Sequence, residues 1–231
     1  MRYIFDNCFK ILRWSDPLNI FLVSKYLNEN LKICGFNDSG TIRWPKTRDE
    51  ALRLLEDVTF NVHAYKEGKV VDKQVKLQIN KGCKDNFEKA MNEIYSYKDT
   101  EGKLKREHDN PEGFIIINDI DSFSWRRIVL SNGKPGKSMS NHSFGIAFDI
   151  NAISGGDYKK GKKGNPYFSN SLQKNNDDKG DSDVCFRTWE HPAVKILNKY
   201  GFGWGIFSGG RGDVMHFSYD TFEKDGHLIG K

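Results

Sequence analysis

In Ser140-Asn141-His142-Ser143-Phe144-Gly145-Ile146-Ala147-Phe148-Asp149-Ile150-Asn151 an imidazole and a carboxylate stand on either side of a glycine, at the two ends of a short apolar run. Phe144, Ile146, Phe148 and Ile150 share one parity, and Gly145, Ala147 and Asp149 share the other. That alternation predicts a strand that buries the first set and turns Asp149 to the opposite face. His142 has the parity of the apolar set, so one regular strand would separate the two polar groups. If both serve one metal ion, His142 must lie in a lead-in, with the chain turning before the strand proper. Gly145 supplies the freedom for that turn. A third ligand must then arrive from elsewhere, and the candidate is His216 in Asp213-Val214-Met215-His216-Phe217.

Upstream, Asp16 and Pro17 open an apolar segment running to Leu31, and Gly35 closes it, as in a buried helix. Thr47 with Glu50 forms a capping box ahead of Ala51, Leu54, Leu55 and Val58, which predicts a second, shorter helix. Residues 1–58 carry no catalytic pattern and are expected to be a helical appendage of unknown role, with the main domain at 59–231. Val71, Lys73, Val75, Leu77 and Ile79 alternate with polar neighbours as a half-exposed strand. Phe87, Ala90, Met91 and Ile94 form the stripe of an amphipathic helix opened at Asp85, better explained by core packing than by a cofactor. The polar run 98–110, with His108, is expected to be a loop. Phe114–Ile117 and Arg127–Leu130 are expected strands, and Gly133, Pro135 and Gly136 mark a loop between residues 132 and 140.

Downstream, residues 154–187 turn rich in glycine, asparagine, lysine and aspartate, which predicts a long surface insertion. Pro192, Ala193, Val194, Leu197 and Tyr200, closed by Gly201, predict the clearest late helix. Gly203-Trp204-Gly205 and a glycine-rich turn follow, and then Asp213 and His216. The fold class expected is α+β, an antiparallel sheet carrying the site on one face and flanked by helices.

With 37% hydrophobic and 29% charged residues the 231-residue chain reads as globular and not as disordered. A net charge of +5 favours anionic partners without choosing among them. Cys8, Cys34, Cys83 and Cys185 form no CxxC pair, so reduced structural thiols are expected in place of a zinc ribbon or redox motif. Near the N-terminus Asp6, Lys10, Arg13 and Asp16 interrupt the apolar residues, so neither a signal peptide nor a transmembrane segment is expected. The protein would be cytoplasmic as made, and another route would have to deliver it to any substrate outside the cytoplasm.

His142, Asp149 and His216 offer two nitrogens and one carboxylate oxygen, which would hold Zn2+ with a fourth position open, as catalytic sites require. Such an ion lowers the pKa of its water and polarises a carbonyl. A carboxylate must still take the water proton, and Asp213, three residues before His216, is the candidate. The developing oxyanion needs a positive partner, for which Arg126 and Arg127 are equivalent on the sequence alone. Ser140 could bond a ligand or the substrate, or could be a turn residue. The competing reading is a core histidine with two surface aspartates.

Ser140-x-His142-x-x-Gly145-x-Ala147-x-Asp149 resembles, at every fixed position, the signature of the zinc peptidases that include D-alanyl-D-alanine carboxypeptidases, D-Ala-D-Ala dipeptidases and L-alanyl-D-glutamate endolysins. Asp149-Ile150-Asn151, Asn165-Pro166-Tyr167, Gly203-Trp204-Gly205 and Asp213-x-x-His216-Phe217 resemble further segments of that family, in its order, over roughly residues 60–231. The resemblance implies zinc on His142, Asp149 and His216, Asp213 as catalytic base, and Arg126 in preference to Arg127 as the catalytic and substrate-binding arginine. Ser140 would touch substrate. Trp125 stands where a cysteine is often found, and the tryptophan common between the last two motifs is replaced by Phe207-Ser208-Gly209-Gly210-Arg211-Gly212. The implied partner is the peptide stem of peptidoglycan, cut as a carboxypeptidase or as an endopeptidase of endolysin type; nucleic acid is not expected. The alternative is a non-catalytic zinc-binding module, since the fold resembles that of the hedgehog signalling domain.

Overall fold

The computed structural model describes residues 44–67, 69–100, 104, 110, 112–129, 133–152, 189–207, 211–224 and 226–230. The expected first helix, His108, the lysine-rich insertion and Asn165-Pro166-Tyr167 lie outside them. No helix among the described residues is long and apolar enough to cross a membrane.

The capping box is realised: Thr47 Oγ1 accepts the Glu50 amide at 3.2 Å, and the Lys46 amide reaches the Glu50 carboxylate at 2.8 Å. The helix it opens, α1 (Arg48–Leu52), is one short turn and stops before the expected apolar stripe ends. Leu55 and Val58 belong instead to a strand, β1 (Leu55–Lys66), which pairs antiparallel with β2 (Lys69–Asn80) along its whole length. Val58, Phe60, Val62 and Ala64 are buried at alternate positions. That period of two, rich in β-branched side chains, prevails over the helical spacing of Ala51, Leu54 and Leu55. Trp44 packs on Phe144 with ring centroids 4.6 Å apart, so the residues flanking α1 join the main core.

Helix α2 (Lys84–Ser96) buries Phe87, Ala90, Met91 and Ile94 as its periodicity predicts. Phe87 meets Phe60, Phe148 and Phe202 edge to face, so the stripe is core. The run Phe114–Ile117 is not a ladder strand. Ile115, Ile116 and Ile117 are buried, but only an isolated bridge joins Ile116 to His63. The neighbouring backbone is tied by amide side chains instead: Asn151 donates to the Ile116 carbonyl and accepts the Asn118 amide, and Asn118 accepts the Tyr65 amide.

A six-stranded sheet in the order β3-β6-β8-β7-β10-β9 holds the centre of the fold. Its members are β3 (Ile120–Asp121), β6 (Ala147–Ile150), β7 (Gly203–Phe207), β8 (Arg211–Ser218), β9 (Thr221–Lys224) and β10 (His227–Gly230). All pairs are antiparallel except β10 on β7. Helix α3 (Pro192–Lys199) starts at its proline and covers the sheet through Ala193, Val194 and Leu197. The class is α+β, as the sequence implied. A separate hairpin pairs β4 (Arg127–Val129) with β5 (Pro135–Met139). The second of these strands occupies the expected loop, since proline is tolerated as the first residue of an edge strand.

Candidate metal centre

The turn anticipated before the strand is a single 3-10 turn, Asn141–Phe144, closed by Gly145 in the left-handed region at φ 65°. A Cβ on Gly145 would lie 2.3 Å from Leu55 Cδ2 and 3.1 Å from the Asn80 amide nitrogen, so both conformation and space exclude a side chain there. Buried Asn80 fastens this turn: its backbone amide donates to the Gly145 carbonyl and its side chain to the Phe144 carbonyl, each at 2.9 Å. Strand β6 then begins at Ala147, and its pleat presents Asp149 on the face away from Phe148 and Ile150.

His216 comes to the same place through the sheet, because it is the cross-strand partner of Asp149 in the β6–β8 pair. His142 Nε2, Asp149 Oδ1 and His216 Nδ1 form a triangle with edges of 3.2 Å (His142 to Asp149), 3.0 Å (His216 to Asp149) and 3.2 Å between the two rings. Tetrahedral ligands about 2.0–2.2 Å from a zinc ion lie about 3.4 Å apart, so the triangle is close to the size such an ion needs.

Hydrogen bonding orients the first ring. His142 Nδ1 lies 2.7 Å from the Ser122 carbonyl, which can only accept, so Nδ1 carries the proton and neutral His142 presents a bare lone pair at Nε2. That lone pair faces a carboxylate oxygen and a second ring nitrogen. Such atoms repel at these distances unless positive charge lies among them, either as ring protons or as a cation shared by all three. The donor set, two imidazoles and one carboxylate, suits Zn2+. Burial alone would raise the Asp149 carboxyl, but the His142 and His216 rings, when protonated, donate to it and add their charge, which outweighs burial and holds the group well below the usual carboxylate range.

Asp213 reaches the cluster by an irregularity in β8. Trp204 pairs with Phe217, yet the next residue, Gly205, pairs with Asp213, so Val214, Met215 and His216 form a bulge opposite no residue of β7. Gly205 makes room for it, since a Cβ there would lie 2.6 Å from the Asp213 carbonyl oxygen and 3.0 Å from His216 Cβ. Burial pushes the Asp213 carboxyl up to about 6, with the Asp149 charge adding to the rise and the two histidines and the Met215 amide opposing it. Its Oδ1 is buried without a hydrogen-bond partner among the described residues. The result is a carboxyl group inclined to hold a proton beside the cluster.

Arg126 and Arg127 are both exposed at the base of the β4–β5 hairpin. The Arg127 guanidinium donates to the Lys137 carbonyl. The Arg126 backbone is tied to the ligand turn: its amide donates to Ser143 Oγ at 2.9 Å, and its carbonyl accepts the Ser140 amide at 3.0 Å. Ser140 itself is buried at the N-cap of the 3-10 turn and makes no side-chain cap bond there. Three supporting residues were not singled out from the sequence. Ser122 acts through a backbone carbonyl, which no residue type reveals. Asn80 and Ser143, both buried, are polar residues among many. Gly205, by contrast, was visible within Gly-Trp-Gly, though its purpose was not.

The chain is thus an α+β domain in which His142, on the 3-10 turn, meets Asp149 and His216 on adjacent antiparallel strands, a group that could hold a metal ion, with the Asp213 carboxyl beside it. Residues 133–219 match the sequence model of a family described as D-alanyl-D-alanine carboxypeptidase, which supports the zinc D-Ala-D-Ala carboxypeptidase family that the signature resembles. The matched segment contains Ser140, His142, Asp149, Asp213 and His216, and Arg126 precedes it. Comparison with curated proteins and with solved structures gave no match.

Proposed function

We propose that this protein is a zinc-dependent peptidase that hydrolyses a bond in the peptide stem of peptidoglycan, as a carboxypeptidase or an endopeptidase of endolysin type. The observation that carries the reading is the convergence of His142 Nε2, Asp149 Oδ1 and His216 Nδ1 within 3.0–3.2 Å of one another. The family match over residues 133–219 supports a peptidase acting on this kind of substrate.

His142, Asp149 and His216 would hold the ion. When bound, it supplies Lewis acidity and a water acidic enough to ionise near neutral pH. Asp213 would accept the proton of the attacking water and hand it to the leaving amine, a role suited to a carboxyl poised near 6. Arg126 stabilises the charge that develops on the carbonyl oxygen and orients the substrate. Ser140, beside the first ligand, contacts the substrate.

The test combines metal analysis with mass spectrometry of digested peptidoglycan, for the wild type, His216→Ala and Asp213→Ala. Expected are one zinc per wild-type chain, loss of zinc in His216→Ala, and retained zinc without turnover in Asp213→Ala. A free terminal D-Ala would identify a carboxypeptidase, and a cleaved L-Ala-D-Glu bond an endopeptidase. Zinc-loaded wild type that leaves every stem peptide intact would refute the proposal in favour of a binding module.

A further inference from the structure

The β4–β5 hairpin is chemically unlike the rest of the described surface. It carries Ile128 and Val129, 45% and 57% exposed, the only exposed large hydrophobic side chains among the described residues. Between Asp121 and Asp149 the sequence holds Arg126, Arg127, Lys134 and Lys137 and no acidic residue. Elsewhere several lysines sit on carboxylates, as in Lys76–Asp57, Lys84–Glu56, Lys98–Glu112 and Lys199–Glu93. Neither Arg127 nor Lys137 forms an ion pair among the described residues. The hairpin is also a two-stranded sheet, so its outer edges offer backbone groups to an added strand.

The hairpin is anchored to the turn that carries His142. Arg126, adjoining β4, and Ser140, adjoining β5, are bonded to each other, and Ser143 in the ligand turn accepts the Arg126 amide. An extended peptide lying along the hairpin would therefore lie beside the turn that carries His142. We infer that the β4–β5 hairpin is a docking arm for an anionic, extended peptide. Lys137 and Arg127 attract its carboxylates, and Ile128 and Val129 cover its small apolar side chains. The inference deepens the proposed function, on which it rests for the identity of the peptide: a peptidoglycan stem carries both alanine methyl groups and free carboxylates, matching the paired apolar and cationic character of the arm. An uncharged or basic peptide would gain little there.

The experiment compares a soluble stem pentapeptide carrying its free glutamyl carboxylate with the same peptide amidated at that position. Hydrolysis is measured with the zinc-loaded full chain, wild type and Lys137→Glu. One charge reversal on an exposed surface is expected to raise KM for the free-acid peptide roughly three- to tenfold with kcat within twofold. KM for the amidated peptide should change little, and the wild-type preference should shrink with added salt. Lys137→Arg should restore the wild-type values, which a merely structural role for the stem of Lys137 would not require. Lys137→Gln, with a smaller rise in KM, serves if the reversal impairs folding. Equal KM for the two peptides with wild type, or no response to Lys137→Glu, overturns the inference.

Fluorescence anisotropy of the labelled free-acid peptide on Asp213→Asn, with and without Lys137→Glu, separates docking from catalysis. Charge-dependent binding supports the arm even if no peptide is cleaved, in which case the proposed function alone has failed. Charge-dependent binding of polyphosphate or a DNA oligonucleotide, with none of the peptide, overturns it.

Discussion

At the scale of single residues, Asp213 is distinguished from Asp149 by environment and not by type. Asp149 is kept ionised by two histidines, whereas Asp213 is pushed up to about 6 by burial and by the charge of Asp149. A base must be ionised to accept a proton, so activity should rise with pH through the Asp213 pKa. Positive charge in the cluster favours the carboxylate, which places the acid limb of the kcat/KM profile at about pH 6 or below. Asp213→Asn should lower kcat by about 10²–10⁴-fold and leave zinc content unchanged. Wild-type kcat/KM that falls as pH rises from 4 to 7 would contradict the assignment. Gly145 is the complementary case, a residue valued for what it lacks. Gly145→Ala combines a positive φ with a 2.3 Å approach to Leu55 Cδ2, and should destabilise the fold by about 1–3 kcal/mol, read as a lower urea midpoint. Both residues were legible in the sequence because their types are unusual for their surroundings. Ser122 was not, because what it offers His142 is a carbonyl that every residue possesses.

At the scale of elements, period-two and period-3.6 patterns were reliable where long and uninterrupted. Strand β2 and helices α2 and α3 follow them closely. The pattern misled at Leu54 and Leu55, where a strand begins within a few residues of a capped helix, and at Pro135 and Gly136, whose turn chemistry conceals β5. The β8 bulge was also invisible, because a bulge is a relation between two strands and not a property of one. It nevertheless decides the site, since it pairs Asp213 with Gly205 and packs the His216 Cβ against that same glycine. A methyl group at Gly205 would push directly on this bulge. Gly205→Ala should therefore weaken zinc binding by tenfold or more, as losing a group that supports a metal ligand does, with a much smaller effect on far-ultraviolet circular dichroism. Competition with a chromophoric chelator measures the affinity, and wild-type affinity in the variant would rule out this coupling.

At the scale of the whole molecule, the class and the central sheet could be anticipated, but not the strand order or the parallel seating of β10 on β7. Alternation specifies which face of a strand is buried and says nothing of its neighbour. Because His142, Asp149 and His216 converge only in the folded chain, zinc bound there as proposed should stabilise it by mass action, by about 2.7 kcal/mol at a free concentration one hundred times Kd. A chelator should accordingly lower Tm in the wild type and leave His216→Ala unmoved; equal shifts in both would disconnect the cluster from stability. The pairing of Asp149 with His216 has one more consequence. A cation held by both ties off a ring of chain 67 residues around, much as a cross-link would. The entropic cost of closing such a ring grows only logarithmically, by about 0.6 kcal/mol for each doubling of its length. The lysine- and glycine-rich insertion at 154–187 lies wholly within this ring. Under the proposed metal binding, lengthening the sequence between Asp149 and His216 should therefore cost little stability and leave metal affinity largely unchanged.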